Sequence, residues 1–210
     1  GNGAGPDNAH SDGVITKMTA TFTPEEGRMF YATYSEGFRA GLLNRPGGSL
    51  SADGTYVIPY EVETDEVTNY ELGWKTTGLD GRLRFNGSAF FVEVEGLQTT
   101  IFDPAIVNLF FSDNAANAEI MGLEGDVTWL PESIEGLTVA GAFSMLDSEI
   151  TEKLVPTNDV AVGDELAFAP AFQGNVRVRY EWMTESGMNA HIMPQVTFSD
   201  KSYSDIIRIN

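Results

Sequence analysis

The sequence contains no cysteine, and this absence excludes several classes of protein. A chain without thiols cannot form a disulfide scaffold, a thiolate zinc site or a cysteine-dependent active site. Histidine is almost as scarce, because His10 and His191 are the only two and lie far apart along the chain. A histidine-based metal site or acid–base pair is therefore poorly supported.

Basic residues are few, and long apolar runs are absent. Lys and Arg number 12 against 31 Asp and Glu, so the formal net charge at pH 7 is −19. So acidic a chain cannot neutralise a phosphate backbone, which argues against a nucleic-acid partner. No run reaches the roughly 18 apolar residues that a membrane-spanning helix needs, although strands can still cross a membrane.

Apolar and polar residues alternate along most of the chain. In "FQGNVRVRYEW", Val176, Val178 and Tyr180 alternate with Arg177 and Arg179, which predicts a strand with a polar face towards water and an apolar face towards lipid or a core. The pattern predicts eight strands, at about Val14–Thr23, Arg28–Phe38, Val67–Thr77, Arg82–Gln98, Ala118–Leu130, Leu137–Glu149, Phe172–Met183 and Met188–Ser199. Most reach the roughly 9 to 11 residues that a tilted membrane strand requires.

Short and long connections alternate between these strands. The short ones are "PEEG", "GLDG", "PESIEG" and "TESG", and the long ones are about Arg39–Glu66, Thr99–Asn117 and Ile150–Ala171. A short link joins antiparallel neighbours, so all short turns should lie at one end and all long loops at the other. The predicted fold is all-β: an antiparallel up-and-down meander of about eight long strands, part of a transmembrane β-barrel. A soluble β-sandwich shares the alternation and remains the alternative.

Four motifs occur in order along the predicted strands. They are Tyr-x-x-Gly-Phe-Arg from Tyr34 to Arg39, Asn-Tyr-Glu-Leu-Gly-x-Lys from Asn69 to Lys75, a phenylalanine (Phe90 or Phe91) before Leu97-Gln98, and Asn-Ala-x-x-Ala-x-x-x-Gly-x-Glu from Asn114 to Glu124. Through these motifs, the chain from about Val14 to Ser199 resembles the C-terminal β-barrel of TonB-dependent outer-membrane receptors.

The resemblance implies a place and an activity. It implies the outer membrane of a Gram-negative bacterium, with Phe30, Ala32 and Tyr34 facing lipid and Gly37–Arg39 leading into an extracellular loop. It also implies energy-coupled uptake of a scarce nutrient, such as siderophore-bound iron, a cobalamin-like cofactor or a glycan. Such a receptor performs no covalent chemistry, so no catalytic residue, enzyme cofactor or resident metal is expected.

The resemblance further implies parts beyond those that the sequence contains. A complete receptor barrel has about 22 strands, and the family also carries an N-terminal plug domain and a segment that contacts TonB. Residues 1–210 are therefore expected to be one partial barrel without plug or remaining strands, and without transport activity alone. The terminal "SDIIRIN" also lacks the final aromatic residue of outer-membrane barrels. The expected partners are an extracellular ligand, outer-membrane lipid, and TonB through the N-terminal region.

Candidate binding residues lie at the start of the first long loop. Arg39, Asn44 and Arg45 are predicted ligand contacts because their polar groups can meet an anionic ligand, with loop packing as the competing role. The acidic run Glu61–Glu66 could offer carboxylate oxygens to calcium, but its spacing is not that of a defined calcium loop, which favours a solvated acidic loop.

Two functional classes therefore remain. One is the barrel of an energy-coupled nutrient receptor, and the other is a soluble β-sheet or β-sandwich module that uses its long loops to bind carbohydrate or protein. An ungated porin is disfavoured only by the motifs. Dependence on detergent would discriminate between the first two classes.

Overall fold

The computed structural model describes residues 8, 10–44, 47–108 and 110–204. These ranges form eleven strands: β1 (Lys17–Glu25), β2 (Arg28–Arg39), β3 (Leu42–Leu43), β4 (Glu61–Val62), β5 (Asp65–Gly78), β6 (Leu83–Ile101), β7 (Phe111–Trp129), β8 (Leu137–Lys153), β9 (Phe172–Met183), β10 (Asn189–Ile192) and β11 (Gln195–Ser199). The same ranges contain no helix, and hence none that could cross a membrane.

Nine of the strands form a single antiparallel sheet. Its order is β1-β2-β5-β6-β7-β8-β9-β10, and β11 also pairs with β9. Strands β3 and β4 form a small separate ribbon within the first long connection. This order confirms the predicted up-and-down meander. It does not favour the sandwich alternative, which requires two large sheets packed face to face.

The four predicted hairpins are all present. They join β1 to β2, β5 to β6, β7 to β8, and β9 to β10 and β11. The three long connections also join neighbouring strands, namely β2 with β5, β6 with β7, and β8 with β9. Short turns and long connections therefore lie at opposite ends of the sheet, as predicted.

The strand register separates an apolar face from a polar face. Two rows across the apolar face read Phe22, Phe30, Trp74, Gly87, Gly125, Phe143, Gly174, Phe198 and Ala20, Ala32, Leu72, Ala89, Leu123, Met145, Phe172. A row on the other face reads Tyr31, Gly73, Ser88, Glu124, Ser144, Gln173. Since successive side chains point to opposite faces of a strand, Arg177 and Arg179 lie on the polar face. The predicted two-faced sheet is confirmed.

Two glycines allow aromatic rings to lie across the sheet. A Cβ atom at Gly87 would lie 2.4 Å from Cζ2 of Trp74, and one at Gly73 would lie 2.2 Å from Cζ of Tyr31. The Tyr31 ring crosses Gly73 to donate its hydroxyl to Oε1 of Glu71 at 2.5 Å. Each large ring therefore depends on the absence of a side chain on the neighbouring strand.

A row of carboxylates limits the apolar face towards the long connections. Cross-strand partners place Glu36, Thr68, Glu93, Glu119 and Glu149 side by side, immediately beyond Tyr34 and Tyr70. We call the part of the sheet between the short turns and this carboxylate row the strand wall. Its apolar side chains include many large exposed ones, such as Leu72.

Several predicted boundaries are wrong at the long-loop end. Strand β7 begins at Phe111 instead of Ala118, β6 continues to Ile101, and β8 continues to Lys153. The second long connection therefore spans only residues 102–110. The strands keep pairing beyond the strand wall through bulges, as in the pair Ile101–Phe111. The Asn and Asp residues at the start of β7, such as Asp113 and Asn114, had favoured a loop there.

The two outermost strands also differ from the prediction. Strand β1 begins at Lys17, and the predicted strand Met188–Ser199 is divided into β10 and β11. The interruption contains Pro194, which has no N–H to contribute to a ladder. The Pro194 carbonyl still accepts a hydrogen bond from the Val178 N–H at 3.1 Å.

Candidate functional site

The long connections fold into a packed layer over the ends of the strands. We call the described residues of 40–64, 102–110 and 154–171 the loop cap. One buried cluster beneath it contains Ile58, Ile101, Ile106, Phe111, Ala115 and Val155, and a second contains Ala116, Ile150 and Val160. These clusters draw side chains from all three connections and from the ends of β6, β7 and β8. The cap is thus held together by a hydrophobic core of its own.

Hydrogen bonds among Arg39, Asp65 and Gln98 connect the ends of β2, β5 and β6, and we call these three residues the polar knot. The guanidinium of Arg39 donates from Nε to Oδ2 of Asp65 at 3.0 Å and from Nη2 to the Gln98 carbonyl at 2.9 Å. Its Nη2 also forms an ion pair with Asp65, whose side chain is only 4% exposed. The Gln98 amide in turn donates to the carbonyls of Arg39, Ala40 and Glu63. Buried polar groups need such partners, so the knot fixes where the first loop leaves the sheet.

Asparagine side chains connect the loop cap to β7. Asn114 donates to the carbonyls of Glu63 and Gly96 at 3.0 and 2.6 Å and accepts from the Glu63 N–H at 2.8 Å. Asn44 accepts from the Ser112 N–H at 3.0 Å and donates to the Ser112 carbonyl. A side-chain amide both donates and accepts, so it can replace the backbone pairing that another strand residue would provide.

A buried carboxylate joins the second and third long connections. Asp103 accepts hydrogen bonds from the backbone N–H groups of Ala105 and Asn158 and from the Thr157 hydroxyl at 2.8, 3.2 and 2.9 Å. Burial raises the pKa of Asp103, but these hydrogen bonds favour the charged form and the net pKa lies below its usual value. The charged carboxylate therefore holds the two connections together.

An exposed turn of the first connection is organised by another aspartate. Asp53 accepts from the hydroxyls of Ser51 and Thr55 at 2.5 and 2.8 Å and from the Thr55 N–H at 3.1 Å. The hydrogen bonds from Ser51, and then those from Thr55, lower the pKa of Asp53 to about 2.

The structure places two of the three predicted ligand contacts. Arg39 and Asn44 both take part in bonding within the loop region, as described above, while Arg45 lies outside the described residues. The Arg39 side chain is nevertheless 56% exposed, so its outer edge is accessible. Ligand contact by these residues stays a prediction.

The acidic run Glu61–Glu66 has a structural role in part. Asp65 belongs to the polar knot, and Glu63 contributes its backbone to Gln98 and Asn114. Among the residues that the structure describes, no group of three or more His, Cys, Asp or Glu side chains is arranged to hold a metal ion.

A cleft of about 560 Å3 opens beside Arg39. It is lined by the ends of β2 and β6, by the second and third connections and by the segment after β11: Arg39, Leu97, Gln98, Thr99, Thr100, Phe110, Leu166, Ala167, Phe168 and Ser204. Phe110 and Phe168 are 68% and 75% exposed, so their rings are accessible. A guanidinium, hydroxyl groups and accessible rings together can recognise a ligand without covalent chemistry.

Sequence reasoning missed the partners that give this region its shape. Asp65, Asp103 and Gln98 carried no sign of burial, because each pairs with residues far away in sequence. Gln98 and Asn114 did stand in the motifs that suggested the family, which was the available signal. The exposed ring of Phe168 had no signal at all.

Comparison with known proteins gives a consistent result. A model of the family described as "TonB dependent receptor-like, beta-barrel" matches residues 2–206. The metal-pseudopaline receptor CntO of Pseudomonas aeruginosa is 28% identical over 162 residues, which cover 76% of this chain and 21% of that protein. A probable TonB-dependent siderophore receptor, PiuA of Acinetobacter baumannii, is 23% identical over 209 residues, which cover 94% of this chain and 26% of that protein.

A solved structure supports the same fold. The crystal structure of BauA, the ferric preacinetobactin receptor from Acinetobacter baumannii, superposes with a TM-score of 0.67 at 19% sequence identity, covering 98% of this chain and 29% of that one. At this identity the likeness concerns the fold alone. The chain spans about a fifth to a quarter of the length of the curated relatives that it matches.

Proposed function

Because this chain belongs to the TonB-dependent receptor-like β-barrel family, we propose that it forms part of the wall and extracellular loops of an outer-membrane receptor for energy-coupled nutrient uptake. The family consists of receptors and transporters of the Gram-negative outer membrane, and not of enzymes. Its members bind extracellular ligands and interact with TonB.

One observation carries the proposal. The single meander has an apolar face with large exposed side chains, and all of its long connections lie at the other end from its short turns. Outer-membrane barrels combine an outward apolar band with short periplasmic turns and long extracellular loops. In this arrangement the apolar face of the strand wall contacts lipid, and the loop cap faces the medium.

The proposed receptor is larger than the strands described. Among the strands that the structure describes, β1 pairs only with β2, and β10 and β11 pair only with β9, so both edges can accept further strands. Unpaired backbone is not tolerated inside a bilayer. We therefore place residues 1–210 as one segment of a larger barrel, in which other parts of the protein supply the remaining strands, the plug domain and the contact with TonB.

The proposed ligand is a scarce metal in chelated form. The names of the relatives refer to metal-pseudopaline and siderophores, which favours siderophore-bound metal over a cobalamin-like cofactor or a glycan. Arg39 is the principal candidate for contact with it because its guanidinium is accessible. Asn44 contributes less, since its amide is bonded to Ser112, and Arg45 is retained as a candidate at the same loop.

Uptake of labelled chelates tests the proposal. Cells that lack the protein should lose uptake of one class of 55Fe-labelled siderophore under iron limitation, and uptake should return when the gene is restored. The protein should fractionate with outer membranes and require detergent for extraction. A protein found in the soluble fraction, or unchanged uptake of iron chelates, cobalamin and glycans alike, would contradict the proposal.

A further inference from the structure

We propose that a cleft at the short-turn end of the sheet binds a zwitterionic phospholipid with an ethanolamine headgroup. The phosphate lies at Arg82, the ammonium group at Glu135, and an acyl chain along Tyr180 and Trp182. We call this space the turn-end cleft. The inference rests on the proposed function, because it requires the short turns to lie at the periplasmic surface of the membrane.

The turn-end cleft draws on both faces of the sheet. It has a volume of about 750 Å3, within the usual range for small-molecule pockets, and is lined by Arg82, the turn between β7 and β8, and the end of β9. Leu137, Tyr180 and Trp182 continue the apolar face of the strand wall, whereas Glu181 belongs to the polar face. A cleft with both kinds of lining suits an amphipathic molecule.

Backbone hydrogen bonds hold the turn between β7 and β8 in place beside the cleft. The Leu130 N–H donates to the Arg82 carbonyl at 2.8 Å, and the Glu181 N–H donates to the Gly136 carbonyl at 2.9 Å. Gly136 has a φ angle of +80°, a conformation that glycine adopts at little cost. The turn is thus attached to the chain on both of its sides, so the cleft is formed before a ligand arrives.

Exposed apolar side chains form the part of the cleft that suits an acyl chain. The rings of Tyr180 and Trp182 stack with centroids 5.7 Å apart, and both are exposed. Ile134, on the turn that lines the cleft, is exposed as well. Tyr and Trp at the ends of membrane strands lie at the level of the lipid headgroups. These side chains therefore offer an apolar surface to the first part of an acyl chain.

The charged groups of the cleft carry both signs. Arg82 forms ion pairs with Asp80 and Glu132, whose side chains are 98% and 77% exposed, so both pairs are weak and a phosphate can share the guanidinium. Glu135 also lines the cleft, and within the described part of the chain its side chain has no hydrogen bond or ion pair. A phosphate and an ammonium group on one headgroup match Arg82 and Glu135 in sign. A glycerol headgroup would offer the carboxylate no cation.

Native mass spectrometry tests the inference with two lipids. The intact receptor that carries this chain would be delipidated in detergent and then given phosphatidylethanolamine or phosphatidylglycerol with identical acyl chains. The wild type should retain phosphatidylethanolamine more tightly. Glu135→Gln should weaken retention of this lipid about two- to fivefold, the range expected for one exposed ion pair, and should leave retention of phosphatidylglycerol unchanged.

Arginine variants test the contact with the phosphate. Arg82→Gln should weaken retention of both lipids by a similar factor, since both carry a phosphate, and Arg82→Lys should retain most of the binding because it keeps the charge. Arg84→Gln is the matched control, because Arg84 lies two residues further along the chain and does not line the cleft. It should leave the retention of both lipids unchanged.

Three results would overturn the inference. One is equal retention of the two lipids by the wild type, and another is retention by Arg82→Gln and Glu135→Gln that matches the wild type. The third is displacement of the lipid by an equal concentration of glycerophosphoethanolamine, which is the headgroup without acyl chains. Such displacement would mean that the cleft binds a small soluble molecule.

Uptake measurements separate the failure of this inference from that of the proposed function. Chelate uptake by a receptor without a lipid preference would overturn the turn-end cleft as a lipid site and leave the proposed function standing. A lipid preference that depends on Arg82 and Glu135, without uptake of any chelate, would support the cleft and overturn the proposed nutrient uptake.

Discussion

Phe22 in the strand wall and Phe111 beneath the loop cap are both phenylalanines on paired strands, yet Phe22 is 65% exposed and Phe111 only 2%. Phe22 belongs to an apolar row that no other part of the described chain covers. Phe111 packs with Ile58, Ile101 and Val155, which come from different connections and strands. The two regions therefore obtain their apolar burial from different sources.

The two regions therefore differ in what covers their apolar side chains: the chain itself covers those beneath the loop cap, whereas the surroundings must cover those of the strand wall. The strand wall has a backbone ladder and cross-strand pairs but, within the described residues, no opposing layer. Under the proposed function, lipid covers its apolar face. The loop cap carries its own core and its own buried polar partners, as a water-soluble domain does. Substitutions in the loop cap should therefore change the free energy of unfolding in any medium. The cost of substitutions on the apolar face of the strand wall should depend on the presence of a bilayer.

The largest effect is expected beneath the loop cap. Phe111→Ala removes a fully buried ring from the first cluster and should destabilise the cap by about 3–5 kcal/mol, the usual cost of such a cavity. Limited proteolysis and hydrogen exchange of residues 47–62 would report the opening. The neighbouring Phe110→Ala is the matched control, because Phe110 is exposed and should change stability little. Similar protection in all three proteins would show that the cap has no core.

A charge on the apolar face should be nearly as costly, but only in a bilayer. Val176 lies midway along β9 on the apolar face, and Val176→Arg should cost about 2–4 kcal/mol near the bilayer midplane. Arg177→Gln, one residue further on the polar face, should cost much less. Urea-dependent folding of the protein into lipid vesicles would measure both variants. Equal costs would mean that the two faces do not differ in their surroundings.

Replacing a glycine of the strand wall that lies against an aromatic ring should reduce stability by an intermediate amount. Gly73→Ala places a Cβ atom 2.2 Å from the Tyr31 ring, so the ring must move away from Glu71, at about 1–3 kcal/mol by the usual cost of overpacking. Gly37→Ala is the control, because nothing lies within 4 Å of a Cβ atom there. Thermal unfolding in detergent should separate the two variants, and equal unfolding temperatures would argue against the observed position of Tyr31.

The smallest effect concerns acid and the exposed turn at Asp53. Its pKa is lowered from 3.8 to about 2 by hydrogen bonds from Ser51 and Thr55. A carboxylate with a depressed pKa stabilises the folded turn above its unfolded pKa, and this contribution is lost as the pH falls through its folded pKa. The amide resonance of Thr55 in the folded protein should therefore titrate with its midpoint near pH 2. In Asp53→Asn that titration should be absent; an unchanged titration would assign it to another group.

The strand wall was predictable because its signals are local. The alternation around Arg177 and Arg179, and turn sequences such as "GLDG", specify strands and hairpins within about 30 residues, and every predicted hairpin is present. Predictions became less accurate at the ends of β6, β7 and β8. There bulges change the alternation, and pairs such as Ile101–Phe111 connect segments whose composition resembles a loop.

The binding region was less predictable, as Arg39 illustrates. The sequence indicated Arg39 as a candidate ligand contact at the start of the first long loop, which stays a prediction. Its partners Asp65 and Gln98 lie 26 and 59 residues away. Whether such a residue binds a ligand or holds a loop depends on which distant groups reach it. The polar knot, the core beneath the loop cap and the outward ring of Phe168 all arise in this way.

The alternation of apolar and polar residues and the turn-forming sequences were thus sufficient to predict the all-β class, the order of the strands and the two faces of the sheet. Both signals act between residues that are close along the chain. The buried charge of Asp65, the joining of two connections by Asp103 and the cleft beside Arg39 required the folded chain. Burial and hydrogen bonding depend on which surfaces meet after strands from distant segments have paired, and no local pattern in the sequence specifies that meeting.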